Sequence, residues 1–205
     1  VDLGANCGNS WIAKKWRKYD AGYLWEFNPT LIRAYLQPLV KKTPQITLIP
    51  HPVWGKSENM TFFLDKRDSQ MTDAALVNKY PCNTGRINTK NTPSDSSTFL
   101  AKQVGDRKGQ EIKVEAKSLP DWWKQQGFVK GKDTVHMKVD IEGAECSTLQ
   151  AFMDAGLTCK PDLIEVEWHD RMAGQNLPCV KETRERLIAH VKDKCGKDTE
   201  YKKWR

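Results

Sequence analysis

Two groups of residues in this chain have the types and spacing to do chemistry. The first is Asp2-x-Gly4-x-Asn6-x-Gly8, joined 22 positions after Gly4 by Glu26. Val1 and Leu3 bracket Asp2 as the end of a buried strand would. Gly4 and Gly8 permit a tight turn and close approach of a ligand to the backbone, and Asn9 or Ser10 can cap a helix beginning at Trp11. Strand, glycine turn and helix in that order form the usual cradle for a nucleotide-like cofactor in an open α/β sheet. A dinucleotide site would show Gly-x-Gly-x-x-Gly, with glycines reaching toward a pyrophosphate. Here an acid stands at the strand end instead, which repels phosphate and suits a cationic, hydroxyl-rich ligand. S-adenosylmethionine, with a sulfonium, an ammonium and a ribose diol, answers that description. Glu26 ends the apolar run Gly22-Tyr23-Leu24-Trp25, near the ~20-residue offset at which an acid takes ribose hydroxyls. An ordinary β-α turn would account for the glycines alone; Glu26 tips the reading to a cofactor site.

The second group lies on two apolar segments, Val135 to Glu145 and Asp162 to His169. Side chains alternate along a strand, so Val135, Met137 and Val139 share one face and His136, Lys138 and Asp140 the other. A strand inside a parallel sheet is normally apolar on both faces. Lys138 therefore needs an anionic partner, and Asp140 sits at a carboxyl end, where ligands bind. Glu165 and Glu167 share a face of the second segment, and a buried carboxylate is costly unless paired. Either could meet Lys138 from the neighbouring strand. A buried ion pair fixing register is the plain account; a charged floor beneath a substrate is the functional one.

These groups need elements to position them, and the hydrophobic pattern supplies an alternation of strands and helices. Ile12, Trp16 and Tyr19 predict a helix over 10–19. Asn28-Pro29 starts the next, since proline suits a first helical position, with Leu31, Ile32, Tyr35, Leu36 and Leu39 inward. Strands follow at Ile46 to Ile49, Met60 to Leu64 and Ile112 to Glu115. Helices are predicted from Ser118 to Gln126, Glu145 to Ala155 and about Lys181 to Lys194. Between Asn83 and Thr98 all residues but Arg86, Ile87 and Lys90 are Asn, Thr, Ser, Asp, Gly or Pro. Such composition cannot bury enough apolar surface to order itself, so a polar insertion is expected at about 66–110, as a surface loop or a substrate-selecting lid.

The 205 residues are read as one domain with a real core, carrying a net charge of +7. Lys14, Lys15, Arg17 and Lys18 read as a solvated helix face rather than a nucleic-acid patch, and no apolar run is long enough to span a membrane. The first strand begins almost at its end, so upstream sequence is expected to be missing. Six cysteines, at 7, 82, 146, 159, 179 and 195, look too few and scattered for a disulfide scaffold and show no metal spacing. No metal ligands are expected. Cys7 and Cys146 are read as free thiols, while Cys159, Cys179 and Cys195 could pair in an oxidising compartment. Secretory pathway and cytoplasm both stay open.

Four segments together resemble the FkbM-type methyltransferases: Val-Asp-Leu-Gly-Ala-Asn-x-Gly at 1–8, Glu26-Phe27-Asn28-Pro29, Lys138-Val-Asp-Ile-Glu-Gly-Ala-Glu145, and Leu163-Ile-Glu-Val-Glu-Trp-His169. The resemblance implies a Rossmann-like class I methyltransferase, α/β, with a mostly parallel central sheet and helices on both faces. The final β-hairpin of such a fold is not evident, because only Thr199 to Trp204 remain after the last helix. It implies methyl transfer from S-adenosylmethionine to a hydroxyl of a sugar or other small-molecule acceptor. The cofactor residues it implies are Asp2, Gly4, Ala5, Asn6, Gly8, Glu26, Phe27, Asn28 and Asp140, with Val53 and Trp54 for the adenine. The catalytic face falls on Lys138, Asp140, Glu142, Glu167 and His169. Removing the hydroxyl proton during attack is worth roughly 10²–10⁴-fold, and Asp140, Glu142 and His169 all stand where the base should be. His169 has the better ordinary pKa. An RNA methyltransferase and a non-catalytic binding domain are the alternatives.

Overall fold

The computed structural model describes residues 1–8, 19–65, 72–79, 108–169, 171–172, 175–176 and 178–203. The helix expected over 10–19 and the polar stretch from Asn83 to Thr98 lie outside the described residues. Of the wider insertion, only a helix at Asp73–Lys79 and the start of a strand at Lys108–Ser118 are described.

Six short strands form a parallel sheet: β1 (Asp2–Leu3), β2 (Gly22–Trp25), β3 (Ile46–Ile49), β7 (His136–Val139), β8 (Leu163–Val166) and β11 (Glu200–Lys203), in the order β11-β8-β7-β1-β2-β3. Numbered among themselves they run 6-5-4-1-2-3, the doubly wound order of an α/β fold. A separate three-stranded sheet is ordered β4-β6-β5, from β4 (Val53–Trp54), β5 (Glu58–Asp65) and β6 (Lys108–Ser118), and β9 (Arg171–Met172) pairs antiparallel with β10 (Gln175–Asn176). By contact the chain divides into two compact units. One holds Asp2–Pro52 and Thr61–Val114; the other holds Val1, Val53–Met60 and Glu115–Arg205.

In the first of these units Asp2 is paired with Leu24 and Leu24 with Leu48, all in parallel register. Leu3, Leu24 and Trp25 are almost wholly buried, as expected for strands covered on both sides. The helix after β2 comes in three pieces: α1 (Pro29–Leu31), a π-helical stretch (Ile32–Leu36) and α2 (Gln37–Lys42). Asn28 caps it, accepting a hydrogen bond from Thr30 N at 3.0 Å, with proline at the first helical position. Ile32, Leu39 and Val40 pack on the cluster of Ala5, Leu24, Leu36 and Ile46. Tyr35 donates its hydroxyl to Leu76 O in α3 (Asp73–Lys79), seating that helix on Leu31 and Cys7.

In the other unit β7 and β8 run parallel, with Lys138 opposite Glu165, and β8 pairs in turn with β11. The last residues of the chain, left without an element by the sequence pattern, thus supply an edge strand. Asp162 anchors this corner. Its Oδ2 accepts Val135 N at 2.7 Å and its Oδ1 meets Lys130 Nζ at 2.8 Å, while its carbonyl accepts Glu200 N. Helix α4 (Leu119–Gln126) starts on a Ser118 cap and stops at Gly127, whose φ of 69° is the left-handed end glycine favours. Trp123 packs edge-on against Phe152 of α5 (Glu145–Asp154) at 5.2 Å and is buried in the core.

Cys159 and Cys195 pair, as the sequence allowed, but the reading of Cys7 and Cys146 as free thiols needs correction. Cys146 of α5 is bonded to Cys179 of α6 (Pro178–His190), and Cys159 to Cys195; Cys7 is also disulfide-bonded. None of these is a free thiol. Their Cα atoms lie 5.9 and 5.1 Å apart, inside the range a disulfide can bridge. Partners 33 and 36 residues apart in sequence meet only through the packing of the folded chain, which spacing alone does not reveal.

Candidate functional site

The glycine turn after β1 reverses sharply. Gly4 and Gly8 have φ of 81° and 79°, and Asn6 between them has φ of 50°. Side chains at the glycines would be strained there, so the residue types follow from the turn. Gly4 N and Ala5 N both donate to Trp25 O, at 3.2 and 2.8 Å, which binds the turn to the end of β2.

Glu26 stands at that end and is 8% exposed. Its Oε2 accepts Asn6 N at 2.9 Å, and its Oε1 accepts Phe27 N at 2.9 Å and Asn28 N at 2.8 Å. A carboxylate has about four acceptor positions; three are taken by backbone, which fixes the group's direction, and one remains on Oε2. Burial nevertheless dominates its titration and, with Asp2 nearby, raises the pKa from 4.5 to about 7 against the three hydrogen bonds. Asp2 is fully buried and Asn28 nearly so. Phe27 meets Phe62 in a tilted ring contact, with centroids 4.4 Å apart. Asn6, Glu26, Phe27 and Asn28 are thus brought together as one hydrogen-bonded group with Gly4, Ala5 and Gly8 beside it. Val53 and Trp54 are placed in the other compact unit, where they form β4 and pair with Lys117 and Ser118.

The second group follows the carboxyl ends of β7 and β8. Lys138 is 6% exposed, and its Nζ forms an ion pair with Asp140 Oδ2 at 3.0 Å. The sequence expectation looked only to the fifth strand for a partner and missed this one, two residues on. Past Asp140 the chain turns through Glu142 at φ 50° and Gly143 at φ 96°, with Ala144 N donating to Ile141 O. Positive φ at a glutamate is uncommon and marks sites where geometry is held by the surroundings. The turn leaves Glu142 Oε1 3.7 Å from His169 Nε2, with Asp140 Oδ1 at 3.8 Å. Glu167 is half-buried, and its backbone N–H donates to Val139 O at 2.9 Å.

Glu145 was missed as a site residue. It opens α5, is fully buried, and its Oε1 accepts both Gly143 N at 3.2 Å and the His169 Nδ1 contact at 2.7 Å. A buried glutamate at a helix start reads as a favourable charge at the dipole, and nothing in its local pattern points to a histidine on another strand. Burial by itself would lower the His169 pKa. The Glu145 hydrogen bond and the charges of Glu145, Glu142 and Asp140 outweigh it and raise the value to about 10. That shift favours the imidazolium at neutral pH and leaves Asp140 and Glu142 as the better-placed candidates for the base.

Among the described residues no helix is long and apolar enough to cross a membrane. No curated protein and no solved structure matches the chain. The Methyltransferase FkbM domain matches it over residues 2–198, which includes both groups, and the six-stranded parallel α/β sheet accords with a Rossmann-like methyltransferase. The chain belongs to the FkbM methyltransferase-domain family.

Proposed function

We propose that the chain is an S-adenosylmethionine-dependent O-methyltransferase whose acceptor is a hydroxyl of a glycan or other small molecule. The observation that carries the reading is the Glu26 carboxylate, buried, aimed by three backbone N–H groups and left with one acceptor position beside a glycine turn. These residues fit the cofactor: a carboxylate takes a ribose hydroxyl, the open turn admits the ligand's backbone contacts, and the acids disfavour phosphate. When bound, the cofactor supplies a methyl group on a sulfonium.

The chain's own residues would do the rest. Asp2, Gly4, Ala5, Asn6, Gly8, Phe27 and Asn28 orient and enclose the donor, and orientation can supply ~7–11 kcal/mol of a barrier. Asp140, held by Lys138, and Glu142 accept the hydrogen bond of the acceptor hydroxyl and take its proton, while His169 steadies both carboxylates. The test is transfer of label from methyl-labelled S-adenosylmethionine to a panel of glycans and small hydroxyl compounds. Label in an acceptor's ether methyl supports the proposal. Transfer only to nucleic acid, or to nitrogen, would refute it.

A further inference from the structure

We propose that Asp140, Glu142 and His169 form a binding site for a divalent first-row cation such as Mn²⁺, which holds the acceptor hydroxyl as an additional ligand. The inference rests on the reading of the acceptor as a hydroxyl compound. One ligand atom from each of the three residues lies within 4.8 Å of the others. Atoms bonded to one ion at about 2.1 Å sit about 3.0–3.4 Å apart. The 3.7 and 3.8 Å separations from His169 Nε2 to Glu142 Oε1 and Asp140 Oδ1 need to close by a few tenths of an ångström, and the two carboxylates, within 4.8 Å of each other, draw together on the ion.

The surroundings are arranged as a ligand set requires. Glu145, fully buried, engages His169 Nδ1 at 2.7 Å and so directs Nε2 toward the two carboxylates; the ion takes the place of the Nε2 proton, which leaves to water, so binding releases one proton and tightens as pH rises. A carboxylate behind a histidine is the usual outer support of a metal-bound imidazole. The other oxygen of Glu145, Oε2, is buried without a hydrogen-bond partner, so this wall carries negative charge that its hydrogen bonds do not fully offset. Lys138 takes Asp140 Oδ2 and leaves Oδ1 on the side of His169. Mixed carboxylate and imidazole donors suit Mn²⁺ or Zn²⁺, and three protein ligands leave positions open for substrate. A hydroxyl on such an ion would give up its proton more readily to the Asp140 or Glu142 carboxylate, and its oxygen would attack the methyl carbon as the C–S bond breaks and its electron pair returns to sulfur, leaving S-adenosylhomocysteine.

The experiment is titration of Mn²⁺ into the full disulfide-bonded chain, following loss of the aquo-Mn²⁺ electron paramagnetic resonance signal, with thermal melts alongside. One Mn²⁺ per chain is expected, with a higher Tm. Glu142→Gln, which keeps shape and removes charge, and His169→Gln should each weaken binding at least tenfold while circular dichroism shows both folded. Glu145→Gln should weaken it by about 10–100-fold, as supporting residues do. Wild-type chain that leaves the Mn²⁺ signal undiminished at millimolar metal overturns the proposal, as does undiminished binding by folded Glu142→Gln; the group is then a histidinium–carboxylate clamp. S-adenosylhomocysteine binding is measured on the same samples. Its loss in Glu26→Ala with Mn²⁺ binding intact leaves the cation site standing and concerns the cofactor site alone.

Discussion

Glu26 makes a pH-dependent prediction whose sign is opposite to that of most carboxylates. Its pKa in the folded chain is about 7, against an ordinary value near 4.5, because burial disfavours the charged form. The folded state therefore holds a proton that the unfolded state releases between those values. The stability linked to that proton is fully present below about pH 4.5 and is lost as pH rises through 7. Working the two pKa values through the linkage relation gives a loss of about 2.5 kcal/mol between pH 5 and pH 8. Other groups titrate in this range, so the quantity to measure is a difference. Urea melts of wild type and Glu26→Gln, both with disulfides intact, are compared at half-unit steps. Glutamine turns its amide toward one of the three backbone donors, an offset of about 1–3 kcal/mol that does not vary with pH. The wild-type advantage over Glu26→Gln should thus shrink by about 2.5 kcal/mol from pH 5 to pH 8. Because ribose hydroxyls donate to a carboxylate, S-adenosylhomocysteine should bind more tightly as pH rises toward 7 and level off above it. Parallel stability profiles for the two proteins would refute the argument, since Glu26 would then titrate as an exposed acid does.

Other consequences follow from particular residues. Reducing the Cys146–Cys179 and Cys159–Cys195 bonds should remove roughly 3–4 kcal/mol each by the loop-entropy estimate; a Tm unmoved by reductant would contradict their role in the fold. Lys138→Met takes the nearer cation from Asp140 and should cost up to about 3–5 kcal/mol, and adding Asp140→Asn should recover part of that in denaturant melts; a silent single change would show the pair to be dispensable. Gly4→Ala, at a φ of 81°, should cost about 1–2 kcal/mol and weaken S-adenosylhomocysteine binding, and a neutral outcome in both would mean that the turn tolerates another conformation.

What was legible in the sequence was what local chemistry determines. Gly4, Gly8 and Glu26 could be placed because a left-handed turn selects glycine and a strand-ending acid at that offset has few structural uses. Lys138 and Asp140 stood out because a parallel interior strand should be apolar. Long-range partnerships were not legible. Glu145 and His169 meet across two elements, and so do Cys146 and Cys179, with no spacing rule to announce either. A partner for Lys138 is expected at Glu165 or Glu167 because they share a face of the neighbouring strand, and the register sets Glu165 opposite it; the pair with Asp140 arises at the strand's end, where alternation no longer governs direction. His169 looked like a base because its ordinary pKa is near neutral, and only the three acids gathered around it change that.

The most direct test of the central claim is calorimetric titration of the purified chain with S-adenosylhomocysteine near pH 7.5. One site per chain is predicted, with Glu26→Ala weakening it by about 1.5–3 kcal/mol, the range for a hydrogen bond to a charged group. No binding by the wild-type chain, or an unchanged dissociation constant in a folded Glu26→Ala variant, would contradict the account.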